Sequence, residues 1–295
     1  MLTHLNEASV KPKRVVILGA RGFVGAAATQ RLEKDGISVL ALGRQDLDLM
    51  AGGASEKLIN TLTPEDSLLV ISAEAPVKNT SMLVDNIQMM ETVCQALESV
   101  TPNHVVYISS DAVYADSKEP LTEASSAEPG SLHGVMHLAR ELMLRHSCNA
   151  PIAMLRPTLL YGAADPHNGY GPNQYRRLAA EGKEIGLFGK GEERRDHVLI
   201  DDVAEIIYRV ITHCSEGILN VATGKVTSFY EIADMVLSHF ADPVEISYRP
   251  RSGPMPHDGY RPFDSAACKQ AFGDFTYTSL ADGVAKTHRD MMENK

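Results

Sequence analysis

The segment Arg14–Gly25, RVVILGARGFVG, constrains the fold more than any other stretch of the chain. RVVIL is a short, β-branched run of the kind found in a strand buried on both faces, and Gly19 ends it. Gly19, Gly22 and Gly25 then stand in GxxGxxG spacing around Ala20, Arg21, Phe23 and Val24, and a helical stretch runs from about Phe23 to Lys34. Glycines so placed allow a tight turn and close backbone approach, so that a pyrophosphate can rest on the helix N-terminus. The competing reading, glycines that merely permit close packing, loses weight because the turn sits between a strand and a helix.

The rest of the first half repeats the alternation. Asp35-Gly36 stops the helix, and strands are expected at Ser38–Leu42, Ser67–Ser72, His104–Ser110 and Ile152–Arg156, with helices at about Ser81–Ser99 and Gly134–Arg145. Strands and helices in this order predict an α/β fold, a doubly wound parallel sheet whose ligand lies at the carboxyl ends of the strands. Those ends bring Ser72, Ala73, Ser109 and Pro157 to the expected cofactor site. At the end of the second strand the chain has Gly43-Arg44 rather than an acid for a ribose 2′-hydroxyl. Arg44 suits a 2′-phosphate, so NADP is preferred over NAD; a solvated surface arginine is the alternative.

The second half changes character. Tyr161–Asn173 is rich in Gly, Pro and Asn and is expected as a long loop, and residues 243–264 hold five prolines. A strand is expected near Ile218–Val221 and a helix near Ser228–Phe240. The boundaries that result are a dinucleotide-binding domain over residues 13–161 plus roughly 196–225, and a smaller, interleaved substrate domain over 162–195 and 226–295.

Charge and cysteine usage narrow the partners. A formal net charge of −10 over 295 residues argues against nucleic acid and against a basic membrane-surface role. The four scattered cysteines form no CxxC pair, no apolar run approaches membrane-spanning length, and the opening MLTHLNEASVKPKR lacks a signal-peptide core. A cytoplasmic protein is expected, its first dozen residues a loose polar lead-in.

Four segments together, GARGFVG (Gly19–Gly25), YISSDAVYAD (Tyr107–Asp116), LRPTLLYG (Leu155–Gly162) and LFGKGEERRDHVLIDDVAE (Leu187–Glu205), resemble the extended short-chain dehydrogenase/reductase family, specifically its nucleotide-sugar epimerases, dehydratases and reductases. The resemblance runs from about Arg14 to Thr287. It implies a Rossmann domain binding NAD or NADP, and a smaller C-terminal domain closing over a nucleoside diphosphate sugar. It further implies that Ser110 hydrogen-bonds the sugar oxygen at the carbon exchanging hydride, with Asp111 beside it. Ala112 stands where the similar dehydratases carry a Glu, so elimination of water is disfavoured.

The departure from that family lies in SLHGVMHLARELM, Ser131–Met143. His133 stands at the family's tyrosine position and His137 at its lysine position. A neutral imidazole, with a reference pKa of about 6.5, can accept the sugar proton, and its titration is expected to govern the rate near pH 6–7. His137, one helical turn on, would hold the nicotinamide ribose. Two other readings stay open: a metal pair completed by a distant carboxylate, and a degenerate site. No HExxH or third clustered ligand is visible, and no metal is assigned.

On the substrate side the resemblance implies that Arg195 and Arg261 contact the diphosphate and that Asn173 and Tyr175 approach the nucleotide. Arginine offers a planar bidentate fork for such anions. Residues 250–262 are a candidate lid. The helices over Met82–Leu97 and Val135–Leu144 carry more apolar residues than one core face needs, and family members pair these helices, so a homodimer is expected. Two functions compete: an NAD(P)-dependent oxidoreductase or epimerase of a nucleotide-linked sugar, and a non-catalytic dinucleotide-binding sensor, which the missing Tyr and Lys would suit.

Overall fold

The computed structural model describes residues 2–293; Met1 of the expected lead-in, and Asn294 and Lys295 at the end of the expected second domain, lie outside the described residues. Strand β1 (Thr3–His4) corrects the expectation of a loose lead-in, because Thr3 and His4 pair antiparallel with Glu216 and Ser215. His4 Nδ1 lies 2.7 Å from Ser215 Oγ and its Nε2 2.9 Å from Ala271 O, so one imidazole docks the tail on the sheet edge.

The chain continues through β2 (Arg14–Leu18), α1 (Phe23–Lys34), β3 (Val39–Leu42), α2 (Ala54–Thr61), β4 (Asp66–Val70) and α3 (Thr80–Ser99). Next come β5 (His104–Ile108), a 3-10 turn at Asp111–Val113, α4 (Leu132–Ser147), β6 (Ile152–Pro157) and β7 (Leu159–Tyr161). They are followed by α5 (Pro172–Ala180), β8 (Ile185–Phe188), β9 (Arg194–Leu199), α6 (Ile200–Thr212) and β10 (Ser215–Val221). The last elements are β11 (Val226–Ser228), α7 (Phe229–Leu237), β12 (Ile246–Arg249), β13 (Tyr260–Arg261), α8 (Ala266–Ala271) and α9 (Leu280–Glu293).

Seven strands form one sheet in the order β1-β10-β6-β5-β4-β2-β3, parallel throughout except for β1. Successive residues of a strand face opposite sides, and both sides are covered, which is why these strands read as continuous apolar runs. Val15, Ile17 and Leu69 pack with Ala28 and Leu32 of α1 and with Val203 and Ile207 of α6. Val16, Leu18, Leu68 and Val70 pack on the other side with Met90, Val93 and Leu97 of α3. The chain leaves β2 toward β3 and returns to β4 on the opposite flank. That reversal opens a crevice at the strands' carboxyl ends, the usual ligand position in such a sheet.

A second layer covers that crevice. Strands β7, β9, β11 and β13 form a four-stranded sheet and β8 pairs with β12. Its core gathers Tyr161, Tyr175, Leu187, Phe229, Ile232 and Val236. The expected loop after Tyr161 stays irregular until Gly171, and α5 begins at Pro172, where a fixed φ suits a helix start. No helix among the described residues is long and apolar enough to cross a membrane.

Candidate active site

A cavity of about 1190 Å³ lies at the carboxyl ends of β2, β4, β5 and β6, roofed by residues 165–173 and by β9. That exceeds the roughly 300–1,000 Å³ of an ordinary small-molecule pocket, so two ligands can lie end to end in it. At one end sit Gly19, Arg21, Gly22, Phe23, Val24 and Arg44; Ser72, Ala73, Ser109 and Pro157 line its floor. Gly22 caps α1 without any side-chain hydrogen bond to the first turn, leaving that helix end to an anion. Ser72 Oγ, His133 Nδ1 and His197 Nε2, all on lining residues, are buried without a hydrogen-bond partner among the described residues. An open helix N-terminus and orphaned polar atoms fit a dinucleotide with a second polar ligand beside it.

Gly25 requires a correction, because it does not line the cavity. A Cβ there would fall 2.2 Å from Gly19 O, so this glycine serves the close seating of α1 on its turn. Arg44 is exposed, with Nε 3.5 Å from Asp48 Oδ2 and Nη1 3.6 Å from Glu74 Oε1. Asp46, next to it, accepts from Gly43 N at 2.9 Å and pairs with Arg21.

The middle of the cavity is built by side chains from four elements. Glu141 of α4 accepts a bidentate pair from Arg156 of β6, at 2.8 and 2.6 Å, and a 2.6 Å bond from Ser109 Oγ, all buried. This network pins the end of β5, and with it the next residue, Ser110. Ser110 Oγ accepts from Ala112 N at 3.1 Å and lines the cavity beside Asp111, His133 and His137. Ser131 caps α4 by accepting from Gly134 N at 3.1 Å. Gly134 meets the 3-10 turn so closely that a Cβ would stand 2.0 Å from Ala112 O. That approach brings His133 into the field of Asp111.

The two imidazoles meet edge to face, centroids 4.7 Å apart. Burial lowers the His133 pKa, with Asp111 opposing. A half-buried cation loses hydration, so the imidazole gives up its proton below its ordinary range. Burial, then His133 and Arg140, hold His137 well below the ordinary value. His137 Nδ1 lies 2.8 Å from the Tyr107 hydroxyl. No group of three or more His, Cys, Asp or Glu among the described residues could hold a metal ion.

At the far end Arg195 and Asn173 line the cavity. Arg195 reaches Glu193 at 3.5 Å and Asp111 at 3.9 Å. Asn173 accepts from Gly162 N at 3.1 Å and donates to Asp165 at 2.9 Å, which fixes the loop over the cavity. Two expected contacts are corrected. Tyr175 is fully buried in the core of the second layer, beside Tyr170 and Phe229, and does not reach the cavity. Arg261 is 1% exposed and fully committed: Nε donates to Asp111 Oδ2 (3.2 Å), Nη1 to Asp116 (2.6 Å) and Nη2 to Asp111 O (2.7 Å). It braces Asp111 from behind instead of meeting a ligand.

Residues 15–222 match the NAD dependent epimerase/dehydratase family. The chain belongs to that family. It is 26% identical over 311 residues to a UDP-glucose 4-epimerase of Mycolicibacterium smegmatis, covering 93% of this chain and 97% of that one. An epimerase from the methanogen Methanothermobacter thermautotrophicus superimposes with a TM-score of 0.85 at 20% identity, over 96% of this chain and 93% of that one. The UDP-glucuronic acid 4-epimerase of Bacillus cereus, in complex with UDP-glucuronic acid and NAD, gives 0.81 at 17% identity, over 96% and 100%. As a member of the NAD dependent epimerase/dehydratase family, this chain has a crevice whose position follows from its fold.

Several of those side chains escaped sequence reasoning. Tyr107, Arg140 and Glu141 lie under the cavity floor, and His197 lines its roof with Nδ1 3.3 Å from Arg195 O and a pKa pushed by burial to about 3. The available signal was charge on an apolar face: Arg140 and Glu141 fall three and four residues after His137, on the side of α4 that must be buried.

Proposed function

We propose that the protein is a nucleotide-sugar epimerase working by hydride exchange at a sugar carbon, with a nicotinamide dinucleotide held between the α1 N-terminus and His137. One observation carries this reading: a single cavity joins the open helix end to Ser110 and His133 and then to Arg195. The similarity to 4-epimerases supports it. When bound, the nicotinamide would supply reversible hydride exchange at the sugar carbon. As the carbon–hydrogen bond breaks, a ring nitrogen of neutral His133 takes the hydroxyl proton while Ser110 Oγ hydrogen-bonds the same oxygen. On the return step His133 would give the proton back to that oxygen, with Ser110 Oγ still holding it. Arg195 faces the diphosphate, and Asn173 holds the loop above the nucleotide.

For the dinucleotide we take NAD as the better reading. Asp48 and Glu74 flank Arg44 and would repel a 2′-phosphate, which weighs against the NADP preference that Arg44 alone suggests. Exposed Val84, Val135 and Leu142 on α3 and α4 support a homodimer through those helices, and four unpaired cysteines suit a reducing cytosol. In this reading the seven-stranded sheet and its helices form the dinucleotide-binding domain, and the second layer, which takes in β7 and β9 from inside the expected boundaries, forms the substrate domain and its lid.

Incubation of the purified protein with UDP- and dTDP-linked sugars, followed by NMR of the products, tests the function. Inversion at one sugar carbon is expected. Dinucleotide bound without any turnover would favour the sensor reading, which two imidazoles held neutral in place of a phenol and an ammonium would otherwise suit.

A further inference from the structure

Tyr107 is 1% exposed, and among the described residues its hydroxyl meets only His137 Nδ1, at 2.8 Å. A buried hydroxyl that donates to nothing costs about 1–3 kcal/mol, so the phenol hydrogen points at Nδ1. Nδ1 is then the bare, accepting nitrogen, and a neutral ring must carry its one proton on Nε2. His137 lines the cavity, so that N–H is available to a ligand.

The neighbouring charge acts in the same sense. Arg140, one turn along α4, is fully buried and forms no ion pair among the described residues. Its Nη2 donates to Ser72 O at 2.6 Å and its Nη1 to Asn86 Oδ1 at 3.4 Å, while the guanidinium carbon stands 5.4 Å from the Tyr107 ring centroid. The carboxylate nearest in sequence, Glu141, is spent on Arg156 and Ser109. Beside His137, therefore, β5 presents a neutral phenol and α4 a lone cation and a second imidazole; α3 gives its Asn86 amide to Arg140 and its Asp85 to the cavity wall, and Asp111, in the 3-10 turn, acts on His133. An unpaired buried cation opposes a second proton on a ring beside it.

We infer that Tyr107 and Arg140 are positioning residues that lock His137 as an uncharged Nε2–H donor, so that in this chain a neutral imidazole grips the nicotinamide ribose and the proton traffic is left to His133. The grip on ribose rests on the dinucleotide reading above; the lock does not. A lysine at this position would supply charge as well as donors. Here the charge sits one turn away, where it cannot be given to substrate.

Long-range proton–nitrogen NMR of the ligand-free protein, labelled on histidine nitrogens, tests the lock from about pH 5 to 9, a window centred on the imidazole range. His137 is expected to show the Nε2-protonated tautomer throughout without titrating. Tyr107→Phe should give a tautomer mixture and weaken dinucleotide binding about 3- to 10-fold, the worth of one hydrogen bond. Arg140→Met should raise the His137 pKa by about one unit or more, and Arg140→Lys should restore it. Should Tyr107→Phe or Arg140→Met fail to fold, the unmodified protein and Arg140→Lys still decide. A proton on Nδ1, or titration of His137 near the usual imidazole value, overturns the lock. A locked His137 in a protein that binds no dinucleotide would instead remove the cofactor reading and leave the lock standing.

Discussion

One end of the cavity floor and its centre are made in different ways. The turn between β2 and α1 is a backbone site: glycines, an open helix end and no side-chain cap. The centre, between β5 and α4, is a side-chain site of two buried groups: Ser109, Glu141 and Arg156 in one, and Tyr107 and His137 with Arg140 beside the phenol ring in the other. A backbone site needs only local geometry and tolerates drift in everything around it. A buried polar network holds only while each member keeps its partner, so single substitutions there should cost more and act further away.

The largest test of that contrast is His133→Phe, which keeps a ring but removes both nitrogens. Turnover should fall by about 10²–10⁴, with dinucleotide affinity little changed in a direct binding titration. In the unmodified enzyme, kcat/KM should decline on the acid side only below the ordinary imidazole range, because the acting form is neutral and burial lowers the His133 pKa. Near-full activity of the variant would move the proton to Asp111 or to water.

Glu141→Gln comes next. It leaves buried Arg156 without its carboxylate and should cost about 3–5 kcal/mol in chemical denaturation, the scale of breaking a buried pair. A loss under about 1 kcal/mol would show that the centre is no more cooperative than the glycine turn.

Acid should loosen the fold through two buried histidines, His104 at the start of β5 and His197 in the cavity roof. Burial lowers His104 to about 4 and His197 to about 3, so below the ordinary value of 6.5 the unfolded chain binds protons that the folded chain refuses. Stability is complete above that value and is lost as pH falls toward 4, by about 3 kcal/mol for His104 if linkage alone acts. Melting temperatures that stay level across that window would contradict the burial of these rings.

At the backbone end, Gly25→Ala should cost about 1–3 kcal/mol, since its methyl would meet Gly19 O at 2.2 Å and α1 must lift. Dinucleotide affinity should drop with stability, and calorimetry can follow both. The smallest effect is expected from Arg44→Ala. On an exposed side chain it should weaken NADP by only about 3- to 10-fold and leave NAD unchanged, as binding titrations can show. Equal loss for both cofactors would take Arg44 away from the ribose.

Elements whose own residues bury a face were legible from the chain: β2, β4, β5, α1 and α3 lie where apolar runs and periodicity put them. The short α2 was not, because eight residues with Ala54 and Leu58 buried make too little pattern. Strand β1 was missed for a different reason. Its two residues are ordered by Ser215 and Ala271, more than 200 positions away.

The same division runs through the site. Sequence by itself determined the backbone features: the strand–turn–helix unit, the strand ends that floor the cavity, and the placing of two histidines one turn apart, all set by spacings of a few residues. Tertiary structure decided what each charged or ring group does. Arg261 looked like a diphosphate contact and became the brace of Asp111, Tyr175 went into the core, and Arg140 and Tyr107 closed on His137. Spacing along a chain sets which face a side chain leaves from. Which partner it meets, and so its charge and its tautomer, depends on groups that only folding brings within about 3 Å.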